Sequence, residues 1–96
     1  MKDKITEVQI LPVKPKEGLV AFASFILDGN LYLGSIGVVT RPKGGYRLVY
    51  PTKKVGDRNI NLFYPISKPF AQKVEKEVIK RLEEVMTHDR HSSPSA

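Results

Sequence analysis

LVAFASFILDGNLYLGSIGVV, Leu19 to Val39, is the stretch that decides the fold. In Leu19–Leu27 both alternating sets are apolar: Val20, Phe22 and Ile26 on one, Leu19, Ala21, Ala23, Phe25 and Leu27 on the other. A strand with two apolar sides needs cover on both faces, so this segment is expected to be the central strand of a sheet. Asp28-Gly29-Asn30 is a turn signal, and Leu31 to Val39 is expected to return beside the central strand. Within that return, Gly34 and Gly37 mark a bulge or a close approach of another backbone.

Working outward, Ile5 to Val13 alternates Val8 and Ile10 with Glu7 and Gln9, the pattern of a strand with one wet face. Lys14-Pro15-Lys16-Glu17-Gly18 breaks it, and Arg41-Pro42-Lys43-Gly44-Gly45 ends the third strand. Tyr46 to Tyr50 forms a short fourth strand and Asn59 to Tyr64 a fifth. Proline cannot donate to a ladder, so Tyr50-Pro51 and Tyr64-Pro65 are strand stops. Between them Lys53-Lys54-Val55-Gly56-Asp57-Arg58 turns the chain at Gly56-Asp57. Ser67 caps a helix that tolerates Pro69 in its first turn. Its stripe is Phe70, Val74, Val78, Leu82 and Val85, and its opposite side carries Lys73, Lys76 and Lys80. The expected fold is α+β: an antiparallel β-meander of about five strands with a C-terminal amphipathic helix packed on it. Residues 1–86 form one domain, and 87–96 a polar, disordered tail. In such a meander the loops at Lys14–Gly18 and Arg41–Gly45 share one end of the sheet with the helix start, while Lys53–Arg58 lies at the other.

The chain has 96 residues, a net charge of +6 and no cysteine. That length suits one modest core. The absence of cysteine excludes disulfide staples, thiolate metal sites and a cysteine nucleophile. No segment reads as a signal or a membrane span, and a cytoplasmic protein without membrane partners is expected. From Lys14 to Arg58 there are eight basic residues against three acidic ones; from Lys68 to Met86 there are five against four. The excess therefore lies in the sheet region, which argues against a basic recognition helix in a major groove.

Nothing in the chain asks for an enzyme, a cofactor or a small-molecule substrate. His88 and His91 lie three apart in the tail, where a helix extension could turn them one way, but they have no fixed carboxylate or cysteine partner nearby. Glu75, Glu77, Glu83 and Glu84 lie on or beside a solvated helix face, where pairing with lysine and arginine is the ordinary explanation. The glycines match neither the P-loop nor the dinucleotide fingerprint. No catalytic or metal-binding residue is assigned. A nucleic-acid reading has positive content instead: loop lysines and arginines can neutralise phosphates, and Tyr46, Tyr50 and Tyr64 at strand ends can stack on unpaired bases. Plain solubility for the charges, and strand packing for the tyrosines, remain as alternatives.

ITEVQILPV, LVAFASFILDGNLYLGSIGVV and YPTKKVGDRNINLFYPIS, with the closing helix, resemble the stage V sporulation protein G family, the septation regulator SpoVG family. The resemblance runs from Ile5 to about Met86. Its carriers are the Leu-Asp-Gly turn after the apolar strand, the step at Pro51, Thr52, Lys53 and Lys54, and the entry Tyr64 to Ser67. It implies a small bacterial homodimer that binds DNA and RNA and regulates processes such as sporulation or septation. The sequence departs from that pattern at NINLFY (Asn59–Tyr64), at RPKGG and in its tail. The alternative is an interaction module that pairs with another protein through a sheet edge.

The expected phosphate contacts are Lys53, Lys54 and Arg58 on the turn, and Lys68 with the helix N-terminus. Lys73 extends that surface, although solvation alone accounts for its position. The dimer is expected to join through strands, at the glycine-marked third strand or its neighbour, because Leu19–Leu27 is apolar on both sets.

Overall fold

The computed structural model describes residues 2–92, with side chains through residue 87. Four strands form one antiparallel meander, in the order β1 (Ile5–Lys16), β2 (Leu19–Leu27), β3 (Leu31–Thr40), β4 (Tyr46–Val49). Two short strands, β5 (Thr52–Val55) and β6 (Arg58–Asn61), pair only with each other, and α1 (Lys68–Ser92) closes the chain. The α+β class, the meander and the packed C-terminal helix are as the sequence indicates. The fifth strand differs: its first residues pair with Thr52–Val55 in a sheet of their own. The expected tail from residue 87 lies partly within α1, which continues to Ser92; residues 93–96 and the side chains of His88 and His91 lie outside the described residues.

β2 is central as its two apolar sets require, with β1 and β3 on either side. One set, Ala21, Ala23 and Phe25, joins Ile36 and Val38 of β3 and Val74, Val78 and Leu82 of α1 in the buried core. Small alanines let the helix approach the middle of the sheet, and Phe25 fills the space near the helix start. Phe70 and Met86 pack at the margins of this core. β1 runs on to Lys16 through Pro12 and Pro15, which an edge strand tolerates because one side of its backbone needs no ladder partner.

The bulge marked by the glycines is present. Ala23 faces Ile36 but Phe25 faces Leu33, so β3 carries an extra residue at Gly34-Ser35, with Ser35 at φ 60°. What passes close to Gly34 is a side chain rather than a second backbone: an added β-carbon would stand 2.8 Å from Cε2 and Oη of Tyr32.

Ser67 is the helix cap. Its Oγ accepts from the Phe70 N–H at 3.3 Å, satisfying one of the donors that a helix start leaves free. Ser67→Ala is expected to cost about 1 kcal/mol, a fall in Tm of roughly 4–8 °C for a domain of this size. A thermal melt followed by circular dichroism checks this; an unchanged Tm would mean the hydroxyl caps nothing.

Candidate nucleic-acid interface

β5 and β6 form a two-residue hairpin around Gly56-Asp57, with Gly56 at φ 62°, and the register is Thr52↔Asn61, Lys53↔Ile60, Lys54↔Asn59, Val55↔Arg58. All eight strand residues are exposed. Alternation puts Lys53, Val55, Arg58 and Ile60 on one face and Thr52, Lys54, Asn59 and Asn61 on the other. The arm thus offers cations on both faces, Lys53 and Arg58 together and Lys54 opposite. The segment read from sequence as a turn is a regular hairpin whose bend is Gly56-Asp57.

The base of the hairpin is closed by the Leu62 N–H, which donates to the Pro51 carbonyl at 3.0 Å. Beyond it, the rings of Tyr50 and Phe63 meet edge to face, with centroids 6.1 Å apart and planes at 72°. Tyr50, Tyr64 and Pro65 then line one apolar cleft of about 210 Å³ with Phe70, Leu27 and Leu31. The two Tyr-Pro steps therefore converge. The hairpin sends the chain out and back, so the helix begins at the end of the sheet where β4 finishes. This corrects the expected arrangement: the helix start shares an end with the base of the basic hairpin and with the Asp28–Asn30 turn. The loops at Lys14–Gly18 and Arg41–Gly45 lie at the other end, beyond the pairs Lys16↔Leu19 and Thr40↔Tyr46. A nucleic acid reaching both Lys68 and the hairpin need not cross the length of the subunit.

The tyrosines differ in environment. Tyr46 and Tyr50 pack against the core, as the strand-packing alternative has it. Burial, reinforced by the nearby charge of Glu75, pushes the Tyr50 hydroxyl up to about 12, so it stays protonated through the physiological range. Glu75 in turn lies 3.7 Å from Arg41, whose Nε donates to the Tyr46 carbonyl at 3.1 Å, so the Arg41 loop is tied both to β4 and to the helix. Both partners are well exposed, and the pair adds little to stability.

Lys68 is exposed at the first position of α1, and no acidic residue stands in that first turn to offset the positive end of the helix. Lys73 is placed otherwise: its Nζ donates to the Asp3 carbonyl at 2.6 Å, linking the helix to the segment before β1. That segment is further fixed by Asp28, whose Oδ1 accepts from the Lys4 N–H at 2.8 Å. The structure thus groups Lys53, Lys54 and Arg58 on one arm, sets Lys68 at the same end of the sheet, and holds Lys73 toward β1. Sequence reasoning passed over Tyr32, the most exposed of the strand tyrosines at 66%. Its position two residues before Gly34 was the signal, since a glycine next to a ring on one strand face is a shelf for that ring.

Among the described residues no helix is long and apolar enough to cross a membrane, and no group of three His, Cys, Asp or Glu side chains is placed to hold a metal ion.

Comparison with known proteins places this architecture among relatives. The family model SpoVG matches residues 3–84, which span all six strands and most of α1. A protein of Finegoldia magna named "Putative septation protein SpoVG" is 34% identical over 82 residues, covering 84% of this chain and 75% of that relative.

Proposed function

The chain belongs to the SpoVG family, and from that premise we propose that it is a homodimeric nucleic-acid-binding regulator of the septation or sporulation type, without enzymatic activity, acting in the cytoplasm. The observation that carries this reading is the β5–β6 arm, which bears Lys53, Lys54 and Arg58 and buries none of its eight strand residues. An isolated two-stranded hairpin is marginal in water. One that spends its side chains on exposed cations is suited to phosphates, which bind it without needing an apolar complement. Lys68 and the uncompensated helix start extend the positive surface at the same end. Contacts of this kind position a nucleic acid without reading its bases, so sequence preference is weak.

The dimer contact belongs at that end too. β4 pairs with Gly37–Thr40, so among the described residues the first half of β3 has no ladder partner on that side. Leu31 and Tyr64 line the apolar cleft there, and next in the chain to its lining residues Phe63 and Pro65 come the exposed Leu62 and Ile66, the latter at 91% exposure. A large apolar group so exposed fits a partner's recess, and a two-fold related copy offers both the recess and the same isoleucine.

Light scattering and oligonucleotide binding test the two parts together. The expected results are a dimer mass at low micromolar concentration, a monomer mass for Ile66→Lys, and an affinity for duplex DNA that falls steeply with salt as phosphate contacts release counterions. A clean monomer mass for the parent would overturn the dimer. Salt-independent binding, or none, would instead favour a protein-binding module working through the free edges of β5 and β6.

A further inference from the structure

The face of the sheet turned away from α1 carries a second surface. On β2 the residues that alternate with Ala21, Ala23 and Phe25 point to this side, and Phe22 among them is 38% exposed. Phe22 stands between Leu11 of β1 and Gly37 of β3. Four residues along β2, or about 13 Å, Ile26 faces Tyr32. The Tyr32 ring lies over Gly34: its Cε2, Cζ and Oη stand 2.8–3.0 Å from where a β-carbon on Gly34 would be. Between the two aromatics runs a groove of about 460 Å³ to which Gln9, Ser24 and Ser35 contribute hydrogen-bonding groups.

The charge on this face is one-sided. Arg47 of β4 stands on it, opposite Val39 and alternating with the partly buried Tyr46 and Leu48. The nearest acidic residues are turned elsewhere. Glu7, at the β1 bulge with φ 50°, lies with Lys80 and Arg81 on the helix side, while Glu17 and Asp28 are in the turns. A polyanion therefore meets no like charge here, and the basic loops around Lys16 and Lys43 border one end.

We propose that this face is a stacking platform for unpaired bases of a single-stranded nucleic acid, with Phe22 and Tyr32 as the stacking rings and Gln9, Ser24 and Ser35 as donors and acceptors for base edges. The proposal rests on the nucleic-acid reading above and deepens it, since the hairpin takes phosphates of any strand whereas this face takes only bases out of a duplex. Aromatic rings on an open sheet have no access to base faces inside a double helix, but they meet those of a single strand directly. The rings are far enough apart to serve different bases. A second subunit is a poorer occupant: the centre of a subunit interface is apolar, whereas this groove, though the exposed Leu11 lines it too, sets an amide and two hydroxyls among its apolar side chains. The drier cleft beside Ile66 is the better subunit contact.

The test compares single-stranded RNA, single-stranded DNA and duplex DNA of one mixed sequence of about twelve nucleotides, by fluorescence anisotropy at fixed salt. Two variants are read against the parent: Phe22→Leu with Tyr32→Leu, which keeps apolar bulk and removes the rings, and Gly34→Ala, which keeps Tyr32 but evicts its ring from the shelf. Gly34 is outside the left-handed region, so its backbone accepts alanine. The double variant is expected to lose about tenfold or more in single-strand affinity, with duplex affinity and salt dependence unchanged; Gly34→Ala should fall in the same direction. If the parent binds both forms and the variants match it on single strands, the platform is overturned while the phosphate-binding reading stands. If the parent binds neither form, that reading fails and the platform with it. A fall of the double variant to monomer mass in light scattering would make the face a subunit interface and also overturn the proposal. Should the double variant unfold, Gly34→Ala alone decides.

Discussion

Replacing Phe25 with alanine is expected to cost about 3–5 kcal/mol, the usual penalty for removing a large buried ring and leaving a cavity. Phe25 is the largest of the fully buried side chains, on the helix-facing set of β2, with Val74 and Phe70 of α1 and Leu33 of β3 around it. Total stability for a domain of this size is on the order of 5–15 kcal/mol, so the variant would lose about a fifth of it or more. Phe22→Ala, on the opposite set and partly exposed, should cost far less. Urea unfolding of both variants at one fixed protein concentration makes the comparison, because the stability of the proposed dimer would depend on concentration. Equal losses at the two positions would mean that the helix does not distinguish the two faces of β2 as described.

Changing Lys53, Lys54 and Arg58 together to alanine should weaken duplex binding by roughly ten- to a hundredfold at moderate salt and flatten its salt dependence. Removing one cation that neutralises a phosphate takes about one unit from the slope of log affinity against log salt, so a fall of about three is expected if all three side chains reach phosphates. Unrelated sequences should be affected alike, since phosphate contacts of the kind proposed carry no base information. The melting curve should be nearly unchanged, because all three side chains are exposed and none enters the core. Titrations of parent and variant at several salt concentrations measure both quantities. Parental affinity at every salt concentration would show that the arm is not the phosphate site.

The features legible in the sequence are those in which burial imprints a period. β2 stands out because both of its sets are apolar, and α1 because Phe70, Val74, Val78 and Leu82 recur at one helical face. β5 left no such imprint: Thr52-Lys53-Lys54-Val55 buries nothing on either face, so its strand character has no hydrophobic alternation to reveal it. Missing that one strand miscounts the chain reversals by one, which is why the helix start was expected at the wrong end of the sheet. Gly34 showed where something passes close but not that a tyrosine two residues earlier was the cause. The cluster of Lys53, Lys54 and Arg58 was legible as charge, whereas its division between two faces depends on the Gly56-Asp57 register. Lys73 was unreadable for a different reason. Its partner is a main-chain carbonyl 70 residues away, and a backbone group leaves no mark in sequence.

The separateness of the β5–β6 hairpin bears on how such a chain can change over time. Substitutions far apart with no shared partner add independently, and none of the eight hairpin residues belongs to the cluster that holds the sheet to the helix. Cations on the arm can be gained, dropped or moved from one face to the other while the core keeps its sequence. Drift in the core, in turn, leaves the arm's register to be set by its own turn at Gly56-Asp57. If the arm holds phosphates as proposed, related chains can diverge in what they grip while remaining recognisably one fold, the grip evolving as an appendage and the scaffold as a constant.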